Sequence, residues 1–214
     1  MKRTAIILAG GFSSRLGQDK GLLQLAGKPL IKHILDLTKD ILEERIIVVS
    51  SDAQAEKYSR IIKEDVKITK DDKNLHGPLA GAFAGFKNAS GEYSLLLPCD
   101  TPLINKAVAS LLLELCINKS AAIPRWPNCY IEPLQAAYCT KPAIHATNMA
   151  LSEGKTDLQS MISKLAGVRY ISTLVIQQLD PELKTFFNIN TMMDLKKAET
   201  MLQNKIARLH HDAP

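Results

Sequence analysis

Five short apolar runs, TAIIL at 4–8, RIIVVS at 45–50, VKIT at 66–69, YSLLLP at 93–98 and SAAI at 120–123, recur along the 214 residues with helical patterns between them. Strands that are apolar at nearly every position are buried on both faces, which is what a sheet covered by helices on both sides produces. The stretches 29–42, 53–62, 78–88 and 105–118 read as helices, and Pro29 and Pro78 suit first-turn positions. Strand and helix alternate, so the chain is expected to be α/β: three layers, α/β/α, around a mostly parallel sheet joined by right-handed crossovers.

After Pro124 the pattern loosens through RWPNCYIEPLQAAYC, where two prolines and a strand at 134–138 predict an insertion on the sheet and not a second domain. Helices are expected near 141–152 and 156–165, then a strand at 168–171. A final helix over about 191–209 carries Leu195, Ala198, Leu202, Ile206 and Leu209 in one apolar stripe. We therefore read residues 1–214 as a single domain. Apolar residues at 46% and charged residues at 23% are ordinary for a globular chain, which excludes disorder and fibrous designs.

No apolar run approaches the roughly 18–20 residues that a spanning helix needs, and TAIIL is too short for the core of a signal peptide. Cys99, Cys116, Cys129 and Cys139 form no CxxC pair and no closely spaced metal set. A reducing cytoplasm is the expected compartment. The formal charge of +5 suits a polyanionic partner, either nucleic acid or a phosphate-rich small molecule. Scattered Lys and Arg and only 5% aromatic residues speak against a stacking platform for single strands.

Four stretches carry candidate chemistry. In an open α/β sheet, ligands sit beyond the carboxyl ends of the strands, and LAGGFSSRLGQDK, 8–20, is such a loop. Gly10 and Gly11 remove Cβ atoms where backbone N–H groups approach a phosphate or a base, and Ser13, Ser14, Arg15 and Lys20 add donors and charge. It is not a Walker A loop, because no Lys-Ser/Thr follows Gly17, and GLLQLAGKP fails by carrying Pro29 in place of the hydroxyl residue. The Rossmann GxGxxG pattern is missing as well.

In LLLPCDTPLI, 95–104, Asp100 ends a buried strand, where a carboxylate can hold Mg²⁺ against substrate phosphates. In KDDKNLHGPLAGAF, 70–83, Asp71 is placed to meet a ribose or base, and Gly77 precedes a helix whose N-terminus favours anions. In FFNINTMMDL, 186–195, Asn188 and Asn190 offer neutral amides to a polar heterocycle, while Asn190 or Thr191 caps the last helix and Asp194 completes a capping box.

Together LAGGFSSRLGQDKGLLQLAGKPL, GPLAG, PCDTP and NINT resemble the molybdenum cofactor guanylyltransferase family, nucleotidyltransferases with a modified Rossmann-like fold of the nucleotide-diphospho-sugar transferase type. The resemblance runs in order along essentially the whole chain. Its first motif is shared with relatives that load CTP or sugar phosphates. Cytidine-handling relatives usually show LAAG and lack GPLAG.

The resemblance implies transfer of GMP from Mg·GTP to the terminal phosphate of molybdopterin or Mo-molybdopterin, giving a guanine dinucleotide and pyrophosphate, with Mg²⁺ as cofactor. By motif match, Leu8, Ala9, Gly10, Gly11, Lys20, Asp71, Gly77 and Asp100 line the nucleotide site, and Asp100 binds the metal. Arg15 and Lys20 hold the β- and γ-phosphates. Asn188 and Asn190 fall on the pterin side, so residues up to about 104 form the nucleotide half and 105–214 the pterin half. Ser50 stands where the family commonly has Asn, a departure at a nucleotide contact. Molybdopterin-delivering proteins and molybdoenzymes are expected as transient partners of a monomer, with no nucleic acid and no membrane. A molybdopterin cytidylyltransferase, a sugar-phosphate nucleotidyltransferase and a non-catalytic nucleotide or cofactor carrier remain open alternatives.

Overall fold

Four of the five apolar runs become interior strands and VKIT an edge strand of one seven-stranded sheet in the computed structural model, which describes residues 1–10, 12–13, 18–63, 65–72 and 74–211. Strand β1 (Arg3–Leu8) leads through two small hairpins, β2 (Phe12–Ser13) with β3 (Gln18–Asp19) and β4 (Gln24–Leu25) with β5 (Lys28–Pro29). Then come α1 (Leu30–Lys39), β6 (Glu44–Val49), α2 (Asp52–Ile61), β7 (Lys67–Lys70), α3 (Pro78–Asn88), β8 (Tyr93–Pro98), α4 (Lys106–Cys116) and β9 (Ala121–Arg125). The chain ends with β10 (Ala136–Cys139), α5 (Thr140–Ser152), α6 (Leu158–Ile162), β11 (Val168–Ser172), α7 (Thr173–Ile176) and α8 (Met192–His211).

The sheet order is β11-β9-β10-β8-β1-β6-β7, and all neighbours are parallel except β10, which runs antiparallel to both β8 and β9. The expected insertion is thus an antiparallel strand inside the sheet. The segment between β9 and β10 is too short for the crossover of a dozen or more residues that a parallel return needs.

Side-chain alternation along the strands divides the core. Ala5, Ile7, Ile47, Val49, Leu95 and Leu97 face α1 and α4, packing with Ile31, Ile34, Leu35, Val108 and Leu112. Ile6, Ile46, Val48 and Leu96 face α3 and α5, packing with Leu79, Phe86, Ala143 and Ala146. Leu195 and Ala198 of α8 close over Leu23, Leu25, Leu30 and Ile189. Pro78 takes the first turn of α3, where a missing N–H costs nothing, whereas Pro29 sits one place earlier as the cap of α1. The helix expected over 29–42 closes at Lys39. The Thr38 carbonyl takes the N–H groups of both Ile41 and Leu42, tightening the last turn.

The register brings the strand ends level. Leu8 is opposite Val48 on one side and Pro98 on the other, and Val49 is opposite Lys70. The residues that follow four parallel strands therefore emerge together along one edge. The chain also leaves β1 toward β6 on one side and returns to β8 on the other, so β1 and β8 flank the point where the winding reverses. No helix among the described residues is long and apolar enough to cross a membrane.

Candidate functional site

Along this edge lies a cleft of about 630 Å³. Of the residues singled out from sequence, Leu8, Gly10, Lys20, Ser50, Asp71, Gly77 and Asp100 all line it. Ladder hydrogen bonds continue past the strands and fix these loops: Ala9 N–H reaches the Val48 carbonyl (2.8 Å), Asp71 N–H the Val49 carbonyl (3.0 Å) and Cys99 N–H the Leu8 carbonyl (3.0 Å). Ala9 is fully buried and does not line the cleft: its N–H goes to Val48, and its carbonyl accepts Gln54 Nε2 (2.7 Å). Gly11 and Arg15 lie outside the described residues.

Gly10 sits beside the ends of β6 and β7: a Cβ there would lie 3.5 Å from Ser50 Cβ and 3.7 Å from Asp71 Oδ2. Gly77 has φ +82, and a Cβ would stand 2.7 Å from the Thr156 carbonyl oxygen, so the turn into α3 is closed to any other residue without strain. Val48, Leu75, Pro78, Pro98 and Leu134 give the cleft apolar walls of the kind that receive a flat heterocycle.

The charged corner is at the switch point. Lys20 Nζ donates to Asp100 Oδ2 (3.0 Å) and to Asn190 Oδ1 (2.6 Å). Both members of the ion pair keep under a fifth of their side-chain surface exposed, which separates this pair from ordinary surface bridges. Asn190 is held for this by the expected capping box: Asp194 N–H reaches Thr191 Oγ1 (3.1 Å), and the Asp194 carboxylate accepts the N–H groups of Thr191 (2.9 Å) and Asn190 (3.1 Å). A further backbone bond from Ile189 to the Asp100 carbonyl (2.9 Å) ties the NINT segment to the end of β8. Asn190 therefore meets the residues of the N-terminal half directly. Asn188 is exposed, and its amide makes a long bond to the Phe186 carbonyl (3.4 Å).

Asp100 Oδ1 is buried and has no hydrogen-bond donor among the described residues. A buried carboxylate oxygen without a donor is costly, and a cation is the ligand that relieves it. Among the described residues no three His, Cys, Asp or Glu side chains cluster as an all-protein metal cage. That donor set fits Mg²⁺, which keeps several waters and takes one or two carboxylates together with substrate phosphates. Asp71, Asp72 and Asp100 line the cleft, and Lys20 is the only Lys or Arg to do so among the described residues.

Burial first, and then the charge of Asp72, hold the Asp71 carboxyl above the usual aspartate range. Burial also raises the Cys99 thiol, with the charges of Asp100 and Asp19 adding to it, so Cys99 stays a neutral wall residue and not a nucleophile. A raised carboxyl pKa means that the fold prefers Asp71 protonated. Its favourable contribution is full below the ordinary value near 3.9 and is lost as pH rises through the elevated folded value. Asp71→Asn is therefore expected to raise the melting temperature at pH 7, with the gain shrinking as melts are taken toward pH 4, while weakening nucleotide binding. A lower melting temperature at pH 7 would show that the carboxylate supports the fold.

Sequence patterns did not single out Gln54 and Tyr58 of α2, which reach this corner from behind. Gln54 Nε2 donates to Asp19 Oδ2 (2.5 Å) and the Ala9 carbonyl (2.7 Å), and Tyr58 Oη donates to Asp19 Oδ1 (2.7 Å). Ser50 donates its N–H (2.9 Å) and its hydroxyl (3.2 Å) to Gln54 Oε1, so both its donors turn toward α2.

A sequence profile described as the MobA-like NTP transferase domain matches residues 5–168. The chain is 32% identical over 199 residues to a probable molybdenum cofactor guanylyltransferase of Methanosarcina mazei, covering 91% of this chain and 88% of that one. It is 36% identical over 199 residues to a probable molybdenum cofactor guanylyltransferase of Pyrococcus horikoshii, covering 91% and 98%. A crystal structure of molybdopterin-guanine dinucleotide biosynthesis protein A from Archaeoglobus fulgidus superposes with a TM-score of 0.80 at 28% identity, covering 94% of this chain and 99% of that one.

Proposed function

We propose that this chain, which belongs to the MobA-like NTP transferase family, is a molybdenum cofactor guanylyltransferase that carries GMP from Mg·GTP to the terminal phosphate of molybdopterin or Mo-molybdopterin. The observation that carries the reading is the corner where Lys20 Nζ bridges Asp100 and Asn190 while the buried Asp100 Oδ1 has no donor among the described residues. It places one cation and one vacant carboxylate oxygen beside a cleft with apolar walls.

In the reaction an oxygen of the pterin's phosphate attacks the α-phosphorus of GTP, the bond from that phosphorus to the β-phosphate oxygen breaks, and pyrophosphate leaves with the electron pair. A phosphate monoester with a second pKa of about 6 is already mostly ionised at neutral pH, so no side chain has to remove a proton. The protein's work is positioning and electrostatic stabilisation. Lys20, anchored but not consumed by its two partners, turns its ammonium toward the phosphates and stabilises the departing pyrophosphate. Asp100 would hold Mg²⁺, which when bound supplies positive charge against the phosphate oxygens. Gly10 admits the nucleotide between Ser50 and Asp71, and the walls around Leu8 and Pro78 take the base. The pterin approaches from the side of residues 105–214, with Asn190 at the junction of the two substrates. On this reading the transient partners are the proteins that deliver molybdopterin and those that receive the dinucleotide, and the compartment is the cytoplasm.

The test is a set of thermal melts with Mg²⁺ and each of GTP, CTP, UTP and ATP, followed by pyrophosphate release with molybdopterin. GTP at about 100 times its Kd adds roughly 2.7 kcal/mol, on the order of 5–10 °C for a chain of this size. Turnover with GTP is the expected result. A larger shift and faster turnover with CTP would replace this reading by a cytidylyltransferase, and nucleotide binding without any transfer would replace it by a carrier.

A further inference from the structure

Lys20 is held at its tip by Asp100 and Asn190, but its backbone is placed by a different set of groups. It opens a short 3-10 turn, Lys20–Leu22, capped by Asp19, whose Oδ1 accepts the Gly21 N–H (3.1 Å). The same Oδ1 accepts the Tyr58 hydroxyl at 2.7 Å, and Oδ2 accepts Gln54 Nε2 at 2.5 Å. Tyr58 is fully buried, and burial raises its phenol far above neutral pH, so it remains a neutral donor. A Cβ on Gly21 would collide with the Tyr58 hydroxyl, which shows how closely α2 approaches the turn.

Gln54 extends the same framework sideways. Its second N–H reaches Ala9 at the end of β1, and its Oε1 accepts both donors of Ser50 at the end of β6. One helix therefore ties two strand ends to the turn that carries Lys20. Asp19 is the carboxylate next to Lys20 in the chain, and without other donors it would compete with Asp100 for that ammonium. Three donors, from Gly21, Gln54 and Tyr58, occupy it instead.

We propose that Tyr58 and Gln54 are positioning residues for nucleotidyl transfer: by engaging both oxygens of Asp19 they keep the Lys20 ammonium on Asp100 and Asn190, where it serves the phosphates. The inference rests on the transferase reading of the site. Neither residue lines the cleft; both act through Asp19 on Lys20.

The test compares wild type with Tyr58→Phe, which keeps the buried ring and removes one oxygen, and with Gln54→Leu. Tyr58→Phe is expected to lower kcat for pyrophosphate release by about tenfold while KM for GTP stays within about threefold, because the loss falls on charge stabilisation and not on the cleft walls. Gln54→Leu lowers kcat and also raises KM, since it releases Ala9 and Ser50 together. A crystal structure of either variant is expected to show Lys20 Nζ moved off Asp100 and Asn190. Wild-type kcat in both variants, or Lys20 still bridging Asp100 and Asn190 in their crystals, would overturn the proposal. If wild type releases no pyrophosphate with any nucleotide, the transferase reading fails by itself, and the crystal position of Lys20 still decides whether α2 sets it. Should Tyr58→Phe not fold, Gln54→Leu carries both measurements.

Discussion

With Lys20 replaced by Ala, pyrophosphate release is expected to slow by roughly 100- to 1,000-fold, about 2.7–4 kcal/mol of barrier, the range seen when one preorganised electrostatic donor is removed from a water-poor site. The size follows from the setting. Lys20 lies less than a fifth exposed, is fixed by two partners, and is the only Lys or Arg lining the cleft among the described residues. A second readout separates this role from a purely structural one. Among the described residues, loss of the ammonium leaves Asp100 with no side-chain partner on Oδ2, in addition to the donor-less Oδ1. The ligand-free variant should then melt below wild type, because one member of a shielded ion pair is left uncompensated. Added Mg²⁺ should recover more of the melting temperature in the variant than it adds to wild type, since the cation no longer competes with Lys20 at Asp100. Equal Mg²⁺ shifts in the two proteins would mean that Lys20 and the metal do not share that carboxylate, and unchanged turnover would remove Lys20 from the phosphate site.

How far such a corner can be read from sequence differs from element to element. The central strands were readable because a sheet covered on both faces requires unbroken apolar runs such as YSLLLP, and their ends then locate Gly10, Ser50, Asp71 and Asp100 at once. The cap of the last helix was readable because the Thr191 and Asp194 spacing is local. The position of β10 was not, because AAYC has strand character whether it lies at an edge or between β8 and β9, and only long-range pairing chooses. Helix α7 escaped because four residues are too few to show a period.

Within the site, Lys20 and Asp100 were identified separately, but their contact joins positions 80 residues apart and no spacing rule reports it. Asn190 was assigned by motif to the pterin side and reaches across to Lys20. Gln54 and Tyr58 were invisible for a different reason. In α2 they read as ordinary positions of a surface helix, and what makes them matter is the Asp19 carboxylate 35 and 39 residues earlier.

Asp100→Asn should have the other large effect: a loss of at least about 100-fold in Mg²⁺-dependent turnover, roughly 2.7 kcal/mol, with ligand-free melting close to wild type. The substitution keeps a carbonyl oxygen that can accept from Lys20, so the local fold survives, but it removes the negative charge that would attract the cation. Turnover alone would not separate a metal ligand from a carboxylate that merely steers Lys20, since both predict a slow enzyme. Binding measured without metal does separate them. Among the described residues Asp71, Asp72 and Asp100 line the cleft against Lys20, so the carboxylates there oppose a naked triphosphate. If Asp100 serves the metal, neutralising it should leave metal-free GTP binding equal or tighter while abolishing the gain that Mg²⁺ gives wild type. If instead Asp100 works only by holding Lys20 in place, metal-free GTP binding should weaken along with turnover, because the ammonium loses its ionic anchor and the phosphates lose their cation. Calorimetric titration of GTP with and without Mg²⁺ into both proteins reads the two signs directly, and the donor-less Oδ1 at the end of β8 is the structural reason to expect the first.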